Sequence, residues 1–179
     1  MKGRVLTAAL CSLLAACSQP EAVPATGTFK APSVGETAPV FAVATIGGDS
    51  ARIGGTTPQP VTLVNVWATW CGPCKAEFPE LQALHQRYAP RGLRVLAISI
   101  DTDGDTAVLE SAKSMGATFM IGRDAADVVR GQFGAVGIPE SWLISADGRL
   151  LWKHSGAIPP NDANVRTAID AALSDAGAP

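Results

Sequence analysis

The chain has 179 residues, 47% of them hydrophobic, and a formal net charge of −2. Length and composition suit one globular domain with a sizeable core, and the near-neutral charge without a basic cluster argues against a nucleic-acid partner. No apolar run reaches the ~18 residues that an ordinary membrane-spanning helix needs.

Met1-Lys2-Gly3-Arg4 is a short basic start, and the apolar run from Val5 to Ala16 follows it. Residues 1–16 therefore read as a secretory signal peptide. The run closes on Leu14-Ala15-Ala16-Cys17, which resembles a bacterial lipobox: small residues precede a cysteine that is diacylated on sulfur and becomes the new N-terminus. The alternative is ordinary cleavage, which leaves Cys17 a free thiol. Cys11 leaves with the leader in either case. Residues 17–34, rich in Pro, Ala, Thr and Glu without apolar periodicity, read as a lipid-anchored flexible tether, and residues 35–179 as the folded domain. A lipid anchor places that domain on the extracytoplasmic, periplasm-facing side of a bacterial membrane, concentrated near membrane-bound partners.

Within the domain, Pro39–Ile46 and Arg52-Ile53 flank Gly47-Gly48-Asp49 and predict a small β-hairpin. Val61–Trp67 is β-branched and aromatic, with few polar breaks, as in a strand buried on both faces. Cys71 falls where that strand hands over to a helix, and sites in α/β sheets cluster at such carboxyl ends. The helix runs to about Tyr88, kinked at Pro79, and Pro90-Arg91-Gly92 ends it. Leu93–Ile100 is a second buried strand, so the unit is a right-handed βαβ crossover. Asp101-Thr102-Asp103-Gly104-Asp105 lacks the later ligands of a calcium loop and reads as a loop before a helix capped by Asp105 or Thr106. That helix runs to about Met115, with Val108, Leu109, Ala112 and Met115 inward. A short strand over Thr118–Ile121 and a helix over Ala125–Phe133 follow. Trp142–Ile144, the turn Asp147-Gly148 and Leu150–Lys153 form a second hairpin, with a bulge or bend at Gly156. Asn161–Leu173 is the closing amphipathic helix, with Val165, Ala168, Ile169 and Leu173 inward. His85 is expected on the solvent side of the first helix and His154 exposed on an edge strand.

The chemistry lies in Cys71-Gly72-Pro73-Cys74. Unpaired N–H groups and the dipole of a helix N-terminus stabilise a thiolate, which makes Cys71 the low-pKa, exposed nucleophile. Cys74, three residues on and on the same face, is close enough to close a disulfide across one turn. Attack by Cys71 on a substrate disulfide gives a mixed disulfide that Cys74 resolves. Cys74 needs a base to take its proton, and Glu77, at i+3, is the candidate; the alternative is a solvated helix carboxylate. Half of a zinc site is the competing reading of the cysteine spacing, but a structural site wants about four ligands, and the mature chain has no second pair and no paired histidines.

Trp70-Cys71-Gly72-Pro73-Cys74-Lys75, followed by Pro79, resembles the active site of the thioredoxin superfamily. Asn65-Val66-Trp67-Ala68-Thr69-Trp70-Cys71, with Glu77 completing Cys-x-x-Cys-x-x-Glu, resembles more narrowly its TlpA/ResA/CcmG branch of extracytoplasmic, membrane-tethered thiol-disulfide reductases. The resemblance implies an α/β, thioredoxin-like fold: a central mixed β-sheet flanked by helices, with an N-terminal β-hairpin and a central helix–strand insertion. It implies that Pro139, in Gly137-Ile138-Pro139, is cis and faces the cysteines, and that Ile138 offers its backbone to the substrate chain. Trp70, Gly72 and Pro73 complete the implied substrate-binding set. Asn65 replaces thioredoxin's strand aspartate, and the glutamate matching Glu77 takes over the acid/base role. Glu140 departs from the threonine of reductive thioredoxins and matches the Pro-Glu of CcmG-type proteins of cytochrome c maturation.

The implied activity is that of a monomeric, cofactor-free disulfide reductant. It accepts electrons from a membrane thiol-transfer protein of DsbD/CcdA type and passes them to oxidised cysteines of exported proteins, such as apocytochrome c or copper-site proteins. Gly72-Pro73 leans towards a reducing potential. A disulfide oxidase or isomerase is the alternative. A peroxiredoxin-like peroxidase fits less, since Ala68 and Val64 stand where its Thr and Pro belong. A Sco-like copper chaperone needs Cys-x3-Cys and a matched histidine.

Overall fold

The computed structural model describes residues 30–177. The expected leader, the Cys17 lipidation site and most of the tether lie outside the described residues. Among the described residues seven strands form one sheet: β1 (Phe41–Thr45), β2 (Ser50–Ile53), β3 (Thr62–Trp67), β4 (Arg94–Ser99), β5 (Met120–Arg123), β6 (Glu140–Ile144) and β7 (Leu150–Ser155). Their order is β2-β1-β5-β4-β3-β6-β7. Four helices, α1 (Gly72–Tyr88), α2 (Asp105–Ser114), α3 (Val128–Phe133) and α4 (Ala163–Asp175), pack around it.

The sheet is mixed, as expected. β3 runs parallel to β4 and antiparallel to β6, with Asn65 opposite both Ala97 and Ser141. β3 is buried at every position, which is why its sequence is mostly apolar instead of alternating, with Thr62 and Asn65 its polar members. The β1–β2 hairpin forms at the predicted place, with Phe41 opposite Ile53. The helix–strand segment after β4 inserts β5 between β4 and β1.

Helix α1 continues through Pro79 to Tyr88, then gives way to a 3-10 turn over Ala89–Arg91 and a left-handed Gly92. Its apolar side presses Phe78 edge-on against Trp67 of β3, with ring centroids 4.6 Å apart. Asp170 of α4 joins the same layer, accepting from the hydroxyl of Tyr88 at 3.3 Å. On the opposite face Phe133 of α3 packs on Trp142 of β6, centroids 4.8 Å apart.

Several local expectations need correction. The N-cap of α2 is Gly104, without a side-chain cap; the Asp105 carboxylate instead pairs with Arg123 at 3.2 Å. Val108 and Ala112 are buried there, whereas Leu109 and Met115 are half-buried. β5 sits two residues later than predicted. α3 begins at Val128, not Ala125, because the Asp124 carboxylate accepts from Val129 N–H at 2.7 Å and the Asp127 N–H bonds to the Asp124 carbonyl at 2.9 Å, making 124–127 a turn. The irregularity in the β6–β7 hairpin falls between Leu143 and Ile144, while Gly156 is the bend after β7, at φ 92°. His85 is half-buried with its ring 6.1 Å from that of Phe119, not on the solvent side. His154 does lie on the edge strand, but half-buried and stacked on Trp152.

Phe78 couples α1 to the sheet and touches two aromatic neighbours, Trp67 and Phe119. Phe78→Ala is expected to lower unfolding stability by about 3–5 kcal/mol, read as a reduced denaturant midpoint at unchanged slope.

Candidate active site

Cys71 and Cys74 are joined as a disulfide, Cα–Cα 5.3 Å. Cys71 is the N-cap of α1, and the Cys74 N–H donates to its sulfur at 3.2 Å. An amide bond and the positive end of the helix dipole both favour a thiolate on that sulfur once the bond is reduced. Pro73 occupies the first turn, where its missing N–H leaves no bond unmade. Cys74 is fully buried. Cys71 is only 6% exposed, not the open nucleophile expected, while its neighbour Trp70 is 68% exposed.

The other wall is the loop between α3 and β6. The Ile138–Pro139 peptide is cis, and the Ile138 carbonyl oxygen lies 3.9 Å from the Cys71 sulfur. Trp70, Cys71, Gly72, Pro73, Ile138 and Pro139 therefore gather at one end of the sheet, at the carboxyl end of β3. Val136, absent from the sequence-based set, stands 95% exposed two residues before Ile138.

Below the disulfide, one helical turn along α1, Glu77 is 2% exposed, so the solvated-carboxylate alternative fails. Its Oε1 accepts from Asn65 Nδ2 at 2.7 Å and its Oε2 from Ile158 N–H at 2.9 Å. Asn65 Nδ2 also donates to Ser141 Oγ at 3.0 Å, while Asn65 Oδ1 is buried without a partner among the described residues. Burial pushes the Glu77 carboxyl up to about 7, against the bonds from Ile158 and Asn65, which favour the ionised form. Within a turn of a dithiol, such a carboxyl can take or give a proton near neutral pH.

The Redoxin family profile matches residues 33–169. Thiol-disulfide oxidoreductase ResA of Geobacillus thermodenitrificans is 31% identical over 130 residues, 73% of this chain and 74% of its own. Thiol:disulfide interchange protein CycY of Rhizobium leguminosarum bv. viciae is 36% identical over 118 residues, 65% of this chain and 60% of its own. Among solved structures, a thiol:disulfide interchange protein DsbE from Chlorobium tepidum superposes with a TM-score of 0.71 at 28% identity, covering 80% of this chain and 99% of that one. The chain belongs to the Redoxin family, as a ResA-like member of the thioredoxin superfamily. It is a thiol-disulfide oxidoreductase.

The ResA-like site has two supports that residue types alone did not reveal. Asp101, fully buried at the end of β4, holds the loop before Cys71: its carboxylate accepts from Thr69 N–H at 2.9 and 3.2 Å, from Thr69 Oγ1 at 2.7 Å and from Ser99 Oγ at 2.7 Å. The acidic run from Asp101 was visible, but not the inward turn of its first member. Ile158 is the other, since a backbone donor leaves no mark in the side-chain sequence. Glu140, next to Pro139, is buried with Lys153 Nζ 3.3 Å from its Oε1.

Because Glu77 holds its proton to about pH 7 when folded, against a carboxylate's ordinary value near 4.5, the folded chain binds more protons than the unfolded one between those limits. Stability from this residue is complete below about 4.5 and is lost as pH rises towards 7. Glu77→Gln removes the titration. Relative to wild type, its unfolding free energy should gain about 3 kcal/mol across that window, at about 1.4 kcal/mol per pH unit, measured by denaturant titration of the oxidised protein.

Proposed function

We propose that this protein is an exported disulfide reductant in which Cys71 is the nucleophile, Cys74 the resolving thiol and Glu77 the acid/base. The observation that carries the reading is Glu77 buried one turn from the cysteine pair and held by the neutral donors Asn65 and Ile158, where burial pushes its carboxyl up to about 7. Starting from the dithiol, the Cys71 thiolate attacks a substrate disulfide. A Cys71–substrate bond forms, and the first substrate sulfur leaves and is protonated. Glu77 carboxylate takes the Cys74 proton, the Cys74 thiolate attacks the Cys71 sulfur, and the second substrate sulfur departs. The substrate gains two electrons, and the Cys71–Cys74 disulfide is left for a donor dithiol to reduce.

Substrate approaches over Trp70, Gly72 and Pro73 on one side and Ile138 with cis Pro139 on the other, as an extended segment alongside the Ile138 backbone. Substrates are oxidised cysteines of exported proteins. The likeness of Pro139-Glu140 to CcmG-type proteins supports apocytochrome c among them, and copper-site proteins are a further class. The electron donor is a membrane thiol-transfer protein of DsbD/CcdA type. Residues 1–16 are a cleaved signal peptide, Cys17 carries the lipid, 17–34 form the tether and 35–179 the working domain on the extracytoplasmic face; the basic-apolar-small pattern ending at Cys17 supports this arrangement.

Three variants test the roles. Cys71→Ser is expected to abolish reduction of a disulfide substrate, and Cys74→Ala to accumulate mixed disulfides visible on non-reducing gels. Normal turnover by Cys74→Ala contradicts the two-cysteine mechanism. Glu77→Gln is expected to slow resolution by about 10²-fold or more, in the range of general acid–base contributions, and to erase an inflection near pH 7 in the wild-type rate. An unchanged pH–rate profile removes Glu77 from the mechanism.

A further inference from the structure

We propose that Glu80 and Arg166 are positioning residues for Glu77, holding the Ile158 amide against its carboxylate through the Pro159–Pro160 link. The starting observation is a repeated contact. Glu77 and Glu80, three residues apart on α1, each accept a main-chain N–H from the segment between β7 and α4: Ile158 at 2.9 Å and Asn161 at 3.1 Å. Between these two anchors stand only Pro159 and Pro160. Each has a fixed φ, and Pro159 restricts Ile158 to an extended backbone.

The far end of the link is held firmly. Asp162 N–H bonds to the Pro159 carbonyl at 3.2 Å, with Pro160 and Asn161 at the centre of the turn and Asn161 at φ 59°. Pro followed by a positive-φ residue is the signature of a type II turn. Asp162 then caps α4 by accepting from Val165 N–H at 2.9 Å. Arg166, in the first turn of α4, reaches back to Glu80 Oε1 at 2.5 Å and to Asn161 Oδ1 at 3.5 Å. The pair is largely buried, with side-chain exposures of 19% and 7%, where losing one partner is costly.

Around Glu77, from α1 come the cysteine pair and, one turn on, Glu80; from β3 Asn65, which also bonds Ser141 of β6; from the following segment Ile158; and from α4 Arg166, only through Glu80. Among the described residues none forms an ion pair with Glu77. Its ionised form is thus stabilised by two neutral donors, one of them the main chain of a connecting segment. If Glu80 or Arg166 lets that segment drift, the Ile158 bond weakens and protonated Glu77 is favoured.

The test follows the Glu77 carboxyl by carbon-detected NMR in the oxidised protein, the resonance being assigned by its loss in Glu77→Gln. Glu80→Ala removes both acceptors, for Asn161 N–H and for Arg166, and leaves the Arg166 cation unpaired. Positioning predicts that the Glu77 midpoint rises by about one pH unit, the value of one hydrogen bond to a charged group; the freed cation acting through space predicts a fall. A second variant, Pro159→Ala/Pro160→Ala, loosens the link without altering any charge and is expected to raise the midpoint in the same direction. A lowered or unmoved midpoint in Glu80→Ala overturns the proposal. Should that variant fail to fold, an unmoved midpoint in the double proline variant does so. The proposal's functional consequence rests on the acid/base role of Glu77, but the midpoint does not: an unchanged rate in Glu77→Gln would remove that role and leave the positioning result standing.

Discussion

A carboxylate buried without a cation is the constraint on which the site depends. Glu77 sits on the inner side of α1, against the middle of a sheet where Asn65 and Ser141 are uncharged polar groups in an otherwise largely apolar core. Among the described residues no cation pairs with it; its partners are the neutral groups of Asn65 and Ile158. Burial therefore favours the neutral acid, and only two neutral donors oppose it. The resulting balance sits near neutrality, where a group that exchanges protons with a thiol is useful. A lysine or arginine in place of either donor would fix the carboxylate in its charged form.

The fold supplies each part of that balance from a different element. Strand β3 brings Asn65 from below and ends where Cys71 caps α1. Strand β6 brings Ser141 and, through cis Pro139, the wall facing the sulfur. The segment after β7 brings the Ile158 amide. Asp101 steadies the approach to Cys71 from β4. Three strands and a connecting segment thus converge on one end of one helix, which is why a small change in any connection is expected to register in the acid/base behaviour of the site.

Much of this was legible in the sequence, for physical reasons. The cysteine spacing, the apolar strand before it and the proline before β6 are strong local signals, because each restricts what the backbone or the chemistry can do. The boundaries of α2 and α3 were not, because Asp105 and Asp124 spend their carboxylates on Arg123 and on the Val129 amide. Such tertiary and turn contacts leave no periodic trace. The exposure of Cys71 was overestimated, since helix position sets its electrostatics but not how closely the Ile138 loop approaches. The backbone donor to Glu77 and the clamp of Glu80 on Asn161 lie about 80 residues from their acceptors in the chain and could not be read without the fold.

The direction of electron flow is tested most directly by the reduction potential of the Cys71–Cys74 pair, equilibrated in defined thiol–disulfide buffers. A value near or below the roughly −270 mV of thioredoxin is expected of a reductant. A value approaching the roughly −120 mV of DsbA would contradict it and make the protein an oxidant of exported thiols.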